Sequence, residues 1–278
     1  MKRERVTITV REDLLKRIDD FVDGEQVRNR SHAIECLLSQ SFRPELSGAF
    51  ILAGGKGVRM KPLTTELPKS LLPVQGKPIL EHQIQLLRDA DIRDIVILIG
   101  HLGEKIKYHF GDGSKWGVAI TYIEQEKSEI GTAHALLLAK NIFPQNPFLV
   151  LYGDVLARIN LRDFINHHAG TSALATVALT SIKEPSLYGV AKMRGESVVE
   201  FTEKPEEKEE LSRVISAGIF CFGSGIFDRL SSRKDLALET HVFPNLAREK
   251  KLNGYLFEGK WFDIGTQEIY ERAIREWK

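Results

Sequence analysis

The chain has 278 residues, in which 39 Lys and Arg balance 38 Asp and Glu to give a net charge of +1. This balance gives no global reason to expect nucleic-acid binding, and the length leaves room for one large α/β domain and a small extra unit. No apolar run approaches the roughly 20 residues of a membrane helix, and the start lacks a signal-peptide core, so we expect no membrane partner. Cys36 and Cys221 are far apart, so we expect no disulfide and a cytoplasmic location.

Residues 1–45 are predicted to form a small unit of one strand and two helices. Polar Arg5, Thr7 and Thr9 alternate strictly with three apolar residues, which predicts a strand with one apolar face. Helical spacing follows, and Ser31 stands where the N-cap of a second helix belongs. One strand and two short helices cannot bury a core of their own. We therefore expect the strand to pair with a second copy of the chain, in a homodimer or a dimer of dimers.

This order of elements resembles the ribbon-helix-helix repressors, in which two chains pair their strands into a ribbon. The resemblance implies that Arg5, Thr7 and Thr9 enter the major groove of duplex DNA. It also implies that the start of the second helix, around Arg30 and Ser31, binds a DNA phosphate. The alternative left open is that the segment only dimerises, because its acidic and basic side chains are balanced and DNA affinity requires several cations.

From about residue 48 onward, strand and helix patterns alternate. Unbroken apolar runs at 49–53, 94–99 and 148–151 predict strands that are buried on both faces. Such alternation is typical of an α/β fold with a parallel sheet and helices on both sides. The later part has shorter strands and a mixed pattern. We therefore predict a Rossmann-like domain over residues 46–278, with a mixed, mostly parallel sheet.

A phosphate site is predicted where the first buried strand ends. Gly54, Gly55 and Gly57 follow that strand, and glycines let the backbone approach a ligand with its N–H groups turned inward. Arg59 and Lys69 add positive charge at the same place. The spacing matches neither the P-loop nor G-x-G-x-x-G. The combination predicts a polyphosphate ligand such as a nucleoside triphosphate.

Two aspartates are predicted to bind magnesium. Asp154 follows the buried strand at 148–151 within Tyr-Gly-Asp, and Asp263 lies in Trp-Phe-Asp-Ile-Gly-Thr. Mg²⁺ typically takes one or two protein carboxylates together with substrate phosphates. Each aspartate alone is more often a turn residue or a helix cap. Together with Arg59 and Lys69, the pair predicts a magnesium site.

The string LAGGKGVRMKPLTTELPKSLLPVQGKP resembles the signature of the sugar-1-phosphate nucleotidyltransferases, or NDP-sugar pyrophosphorylases. The resemblance extends from about residue 48 to the C-terminus, with the family's motifs in order. It implies that Asp154 and Asp263 bind Mg²⁺ and that Arg59 and Lys69 contact the reacting phosphates. The residues that it implies for nucleotide binding are Leu52, Ala53, Gly54, Gly55, Gly57, Gly131 and Thr132.

The same resemblance implies a sugar-phosphate site. Glu203 and Lys204 lie in the family's Glu-Lys-Pro motif, and Gly189 lies in its Tyr-Gly-Val motif. The family's Asn-Ala-Gly motif is Ser216-Ala217-Gly218 in this chain. That departure removes an amide that would bind a sugar hydroxyl, so the identity of the sugar stays open.

The implied activity is the synthesis of an NDP-sugar and pyrophosphate from an NTP and a hexose 1-phosphate. Transfer of guanylyl to mannose 1-phosphate, and of thymidylyl or uridylyl to glucose 1-phosphate, remain open. The sequence ends soon after Trp277, so we expect no added acyltransferase or isomerase domain within it. The alternative is a transcriptional regulator whose large domain senses a nucleotide sugar without turnover.

Overall fold

The computed structural model describes residues 6–24, 27–41, 46–125, 131–143, 147–206 and 212–278, without the side chains of residues 39–41. The chain divides into two compact units, Met1–Pro44 and Glu45–Lys278. Arg5, a predicted DNA contact, lies outside the described residues. Among the helices of the described ranges, none is long and apolar enough to cross a lipid bilayer.

The first unit contains two helices within its described residues, α1 (Glu12–Asp20) and α2 (Arg30–Ser41). Residues 6–10 have no regular secondary structure. The predicted strand is therefore not formed in the single chain, because a strand needs a partner to pair its backbone N–H and C=O groups. Thr7 and Thr9 of this segment are exposed.

An ion pair joins the two helices of the first unit. The guanidinium of Arg30 donates to both carboxylate oxygens of Asp19 at 2.5 and 2.7 Å, and this hydrogen bonding lowers the pKa of Asp19. Arg30, which was expected near a DNA phosphate, is thus engaged within its own unit. The prediction of Ser31 as N-cap is wrong. Asn29 caps α2, because its Oδ1 accepts from the N–H of His32 at 3.0 Å, and Ser31 lies inside the helix.

The second unit alternates strands and helices along the chain. Its strands in the described residues are β1 (Ala49–Ala53), β2 (Pro73–Val74), β3 (Lys77–Pro78), β4 (Asp94–Ile99), β5 (Ala119–Glu124), β6 (Phe148–Tyr152), β7 (Val155–Ala157), β8 (Ala175–Ser181), β9 (Gly189–Arg194), β10 (Ser197–Glu203), β11 (Val214–Phe222), β12 (Leu252–Leu256) and β13 (Trp261–Asp263). Its α-helices there are α3 (Ile79–Asp89), α4 (Gly103–Phe110), α5 (Thr132–Leu137), α6 (Leu161–Ala169), α7 (Phe243–Arg248) and α8 (Gln267–Glu276). Short 3₁₀ turns lie at Val58–Met60, Lys69–Leu71, Ser114–Trp116, Pro185–Leu187 and Ser224–Arg229, and a π-helical turn lies at Leu238–Val242.

Nine of the described strands form one sheet in the order β5-β4-β1-β6-β11-β8-β12-β10-β9. Strands β5, β4, β1 and β6 are parallel, as predicted. The other half is mixed, as its sequence pattern predicted, but it has more antiparallel pairings than a mostly parallel sheet would have. Strand β11 runs antiparallel to both β6 and β8, and β10 runs antiparallel to β12 and β9. Among the later pairings, β12 with β8 is parallel.

Both faces of the sheet are covered, which explains why its central strands are apolar throughout. Ile51 of β1 belongs to a core that includes Ile84 of α3 and Phe164 of α6. Its neighbour Phe50 points to the opposite core, with Phe243 of α7. The period of two places successive side chains of β1 on opposite faces, so each strand must be apolar on both.

Candidate active site

The glycine loop follows β1 at the carboxyl end of the parallel strands. Gly57 has a φ of 60°, a left-handed conformation that favours glycine, and its carbonyl accepts from the Thr64 hydroxyl at 2.8 Å. A Cβ at Gly57 would also lie 3.0 Å from the Thr64 methyl carbon. The space beside Gly55 is open, with no heavy atom within 4 Å of where its Cβ would be. The loop is thus closed on the Thr64 side and open beside Gly55.

Lys69 and Asp154 meet at this edge of the sheet. Lys69 begins a 3₁₀ turn, and its Nζ lies 2.5 Å from Oδ2 of Asp154, which lies between β6 and β7. Gln83 of α3 is hydrogen-bonded to the backbone of the turn that contains Asp154. The Gln83 amide donates to the carbonyls of Tyr152 and Val155, each at 2.7 Å. These two bonds fix the backbone on both sides of Asp154.

The second aspartate reaches the same place through a two-stranded ribbon. Strand β13 pairs antiparallel with β7, so that Asp263 lies opposite Val155. The N–H of Ile264 also donates to the Asp154 carbonyl at 2.9 Å. Burial, and next the charge of Asp154, raise the pKa of Asp263 to about 6. The structure therefore brings the two predicted metal ligands together, and their negative charges repel each other.

Arg59 lies beside this pair of carboxylates. Its Nη2 is 3.4 Å from the position that a Cβ would take at Gly265, and both Asp263 carboxylate oxygens are 3.7 Å from that position. The positive charges of Lys69 and then Arg59 act to lower the pKa of Asp263, against the larger effect of burial. Two cations and two carboxylates thus share one site. No group of three or more His, Cys, Asp or Glu side chains that could hold a metal ion is found among the described residues.

The predicted sugar-phosphate residues lie on neighbouring strands. Glu203 at the end of β10 pairs with Gly189 at the start of β9, and burial raises the pKa of Glu203. A Cβ at Gly189 would lie 2.5 Å from the Phe201 ring and 2.9 Å from a Glu203 carboxylate oxygen, so the close approach of the ring favours glycine. Lys204 has its Nζ 3.6 Å from Oε1 of Glu203, and its charge acts on Asp263. These residues therefore face the same region as the two aspartates.

Aromatic side chains stand next to this region. The ring of Tyr188 meets that of Trp261 edge to face at 5.4 Å, and the Trp261 indole donates to the Ala217 carbonyl at 3.0 Å. Gly218 has a φ of 71°, and a Cβ there would lie 3.1 Å from the ring of Tyr152. The Ser-Ala-Gly segment that departs from the family motif therefore lies between Trp261 and Tyr152.

Gly131 and Thr132 lie at the start of α5. Gly131 is its N-cap, and Thr132 is its first residue. The Thr132 hydroxyl donates to Oε2 of Glu239 at 2.9 Å, and the Tyr152 hydroxyl donates to Oε1 of the same carboxylate. Glu239 thus connects the predicted nucleotide segment with the turn that contains Asp154.

The sequence of the chain matches a known protein family. Residues 48–278 match the sequence profile of the family described as nucleotidyl transferase. The chain belongs to the nucleotidyl transferase family. A mannose-1-phosphate guanyltransferase of Schizosaccharomyces pombe is 35% identical over 232 residues, which cover 80% of this chain and 62% of that protein. The mannose-1-phosphate guanyltransferase beta-A of Xenopus laevis is 33% identical over 240 residues, which cover 82% of this chain and 66% of that protein. The chain thus spans less than two thirds of the length of these nucleotidyl transferase relatives.

Solved structures of the nucleotidyl transferase type have the same architecture. A Bacillus anthracis protein named "Putative Glucose-1-Phosphate Thymidylyltransferase" superposes with a TM-score of 0.76 at 30% identity, covering 82% of this chain and 94% of that one. A UDP-glucose pyrophosphorylase superposes with a TM-score of 0.73 at 21% identity, and the match covers 84% of this chain and 98% of that one. The second likeness concerns the fold alone.

Two residues of this candidate site were not identified from the sequence. Gln83 lies on the buried side of α3, where polar residues are rare unless they are hydrogen-bonded. A polar residue at a position that helical spacing places on the apolar face is the sequence signal that could have identified it. Glu239 is 87 residues from Tyr152 and 107 from Thr132, and no local pattern links it to either. Thr7 and Thr9 belong to the first unit.

Proposed function

We propose that residues 48–278 catalyse the reaction of an NTP with a hexose 1-phosphate to give an NDP-hexose and pyrophosphate. The proposal rests above all on the convergence of Arg59, Lys69, Asp154 and Asp263 at the carboxyl ends of the parallel strands. Open α/β sheets bind their ligands at that edge. Membership of the nucleotidyl transferase family supports the proposal.

GTP and mannose 1-phosphate are the first substrates to test. Relatives from Schizosaccharomyces pombe and Xenopus laevis are named for transfer to mannose 1-phosphate, at 35% and 33% identity. The pairs of glucose 1-phosphate with dTTP or UTP come next, because the more similar of the two solved structures is named for thymidylyl transfer.

The chemistry needs position and charge more than a protein base. An oxygen of the sugar phosphate attacks the α-phosphorus of the NTP, and a new P–O bond forms. The bond from the α-phosphorus to the bridging oxygen breaks, and pyrophosphate leaves with that electron pair. The attacking phosphate is already ionised at pH 7, so the protein orients it and offsets charge.

Arg59, Lys69 and Lys204 supply the positive charge. Arg59 and the backbone of residues 54–57 stabilise the departing pyrophosphate, since Arg forms forked hydrogen bonds with phosphate oxygens. Lys69 and Lys204 reduce the repulsion between two anionic reactants. Lys204 is suited to the sugar phosphate, because it follows Glu203 and faces the Gly189 side of the site.

Asp154 and Asp263 are the proposed ligands of Mg²⁺. The donor set fits this ion, because two carboxylates at one site, one with a raised pKa, leave negative charge for a cation to neutralise. When bound, Mg²⁺ supplies charge that neutralises the α-phosphate and the sugar phosphate. Asp263 pairs with Val155, the residue that follows Asp154, so the β7–β13 ribbon keeps the two aspartates close in space.

A pyrophosphate-release assay across NTP and sugar-phosphate pairs tests the proposed reaction. We expect turnover with at least one hexose 1-phosphate in the presence of Mg²⁺. Nucleotide-sugar binding in calorimetry without pyrophosphate release from any pair would instead favour the alternative, a regulator whose large domain senses a nucleotide sugar.

For the first unit we propose pairing with a second copy of the chain, in a dimer or a dimer of dimers. Val6 and Ile8 are 74% and 57% exposed, and Ala33 is the only fully buried apolar side chain among the described residues of this unit. A segment this poor in buried apolar surface needs a partner for its stability. Pairing of residues 5–10 from two chains would cover Val6 and Ile8 and satisfy the strand backbone.

We further propose that the paired ribbon binds duplex DNA through Arg5, Thr7 and Thr9. Thr7 and Thr9 are exposed, which leaves them accessible to base edges. Because charge in this unit is balanced, affinity should be modest and should fall steeply with salt. Fluorescence anisotropy with genomic fragments at low salt tests this. Arg5→Ala should weaken DNA binding. Lys115→Ala, an exposed change in the second unit, is the control and should leave DNA binding unchanged. If the protein binds no fragment, or if Arg5→Ala does not weaken binding, dimerisation is the sole role of the first unit.

A further inference from the structure

The loop before α7 is hydrogen-bonded along the start of α5. The N–H of Gly131 donates to the Lys234 carbonyl at 2.7 Å, and that of Ala133 donates to the Leu236 carbonyl at 3.0 Å. A Cβ at Gly131 would overlap the Leu236 carbonyl group. The glycine is therefore required by the close approach of this loop, and the loop fixes the position of the 131–133 segment.

Glu239 extends this contact to the other side of the site. The Thr132 hydroxyl accepts from the Leu238 N–H at 2.8 Å and donates to Oε2 of Glu239 at 2.9 Å. Oε1 of Glu239 accepts from the hydroxyl of Tyr152. Tyr152 is the last residue of β6 and lies two positions before Asp154. One carboxylate, with both oxygens engaged, thus bridges two segments that the proposed reaction requires.

The local backbone and the burial of Glu239 favour a specific role. Glu239 lies in the π-helical turn Leu238–Val242, and π-helical turns are rare and frequent at functional sites. Burial raises the pKa of Glu239, which means that its charged form is disfavoured at this position. An apolar side chain would fill a purely structural position at lower cost. A fully satisfied polar network instead fixes one arrangement of the groups that it joins.

We propose that Glu239 is a positioning residue that holds the Thr132 segment and the Asp154 turn at one fixed separation. The inference rests on the proposed nucleotidyl transfer, in which the first segment binds the nucleotide and the second binds the metal. Glu239 acts through Thr132 and Tyr152 and has no contact with the reacting atoms. Its loss shifts the nucleotide relative to Asp154, and a displacement near 1 Å costs about 10² in rate.

Three variants separate the contributions of Glu239. Glu239→Leu removes both hydrogen bonds and should lower kcat by about 10² while raising the KM for NTP. In Glu239→Gln, the amide oxygen still accepts from Thr132 and the amide nitrogen donates to the Tyr152 oxygen, so kcat should stay within about threefold of wild type. Tyr152→Phe removes one bond and should lower kcat by about tenfold. The KM for sugar 1-phosphate should change by less than about twofold in all three.

A double-mutant cycle and a matched control complete the test. Tyr152→Phe combined with Glu239→Leu should be no slower than Glu239→Leu alone, because Glu239→Leu already removes the hydrogen bond through which the Tyr152 hydroxyl acts. Glu249→Leu, at a more exposed carboxylate paired with Arg229, should keep the wild-type kcat. Thermal unfolding is measured alongside. If Glu239→Leu fails to fold, Tyr152→Phe alone must show the loss of kcat, and a wild-type kcat there overturns the proposal.

Other outcomes are equally decisive. Wild-type kinetics for Glu239→Leu would overturn the positioning role. A Glu239→Gln variant as slow as Glu239→Leu would show that the charge matters, and would overturn positioning through hydrogen bonds. If the wild-type protein releases no pyrophosphate from any pair, the proposed function fails by itself. Calorimetry of GTP, dTTP and UTP binding then tests the positioning role of Glu239. Glu239→Leu should weaken nucleotide binding, and Glu239→Gln should not.

Discussion

Lys69 and Asp154 form a partly buried ion pair in which the ammonium nitrogen lies 2.5 Å from the carboxylate Oδ2. The two residues are 85 positions apart in the chain. The ammonium offsets part of the repulsion between Asp154 and Asp263 in the absence of other cations. In the proposed reaction Lys69 would contact a substrate phosphate, and Asp154 would be one of the two residues that hold Mg²⁺. The pair thus keeps both groups oriented toward the place where the reactants bind.

Asp154→Asn should abolish turnover and leave the fold intact. Asp154 lies in a turn at a strand end, so its loss affects metal binding and not core packing, and kcat should fall by about 10² or more. Pyrophosphate release and circular dichroism measure the two effects. Asp89→Asn, an exposed change at the end of α3, serves as the control. A kcat near that of wild type in Mg²⁺ would show that Asp154 is not a metal ligand.

Gln83→Leu should lower both stability and kcat. The change leaves the carbonyls of Tyr152 and Val155 without their donor, and an unsatisfied buried acceptor costs about 1–3 kcal/mol. The turn with Asp154 then loses its fixed position. Urea unfolding and the transferase assay measure the effects. Gln85→Leu, on the exposed side of the same helix, should change neither, and equal behaviour of the two variants would contradict this role.

Lys204→Ala should raise the KM for sugar 1-phosphate much more than the KM for NTP. The reason is that Lys204 follows Glu203, which pairs with Gly189 of the predicted sugar-phosphate site, and the Lys204 side chain is 64% exposed. Steady-state kinetics with each substrate varied in turn give the two KM values. Lys192→Ala, an exposed change on the adjacent strand β9, is the control. An equal rise in both KM values would mean that Lys204 does not face the sugar phosphate.

The stability of the second unit should fall in acid because of His168. Burial lowers the pKa of His168 to about 4, whereas the unfolded chain has a His pKa near 6.5. The unfolded state therefore binds this proton first. The free energy of unfolding is unaffected above about pH 6.5 and falls as the pH drops toward 4, by about 2 kcal/mol at pH 5.

Urea unfolding at pH 7.5 and pH 5 measures this effect. His168→Gln should lose less stability on acidification than the wild-type protein, while His109→Gln, at an exposed histidine, should behave as wild type. The same pH dependence in wild type and His168→Gln would rule out His168 as the source.

Deletion of residues 1–45 should reduce the oligomeric state and leave the transferase active. The exposed Val6 and Ile8 lie in this segment, and residues 48–278 contain the whole family match. Light scattering and the pyrophosphate assay measure the two properties. An oligomer number that does not change on deletion would refute pairing through the first unit.

The sequence by itself determined the local parts of the site. Apolar runs predicted β1, β4 and β6, since a strand buried on both faces must be apolar throughout. The glycines of residues 54–57 indicated the loop, because glycine lets the backbone turn tightly and approach a ligand closely. The order of the motifs indicated the family to which residues 48–278 belong.

Tertiary structure alone decided how distant segments meet. The ribbon that brings Asp263 to Asp154, the antiparallel pairing of β11, and the contacts of Gln83 and Glu239 all join residues far apart in the chain. Periodicity reports only which face of an element is buried, and it has no information about the partner that covers that face. The segment at residues 6–10 shows the same limit, because its alternation predicted a strand that the single chain cannot pair. A strand forms only where a second strand supplies its hydrogen bonds, and the local sequence does not identify that second strand.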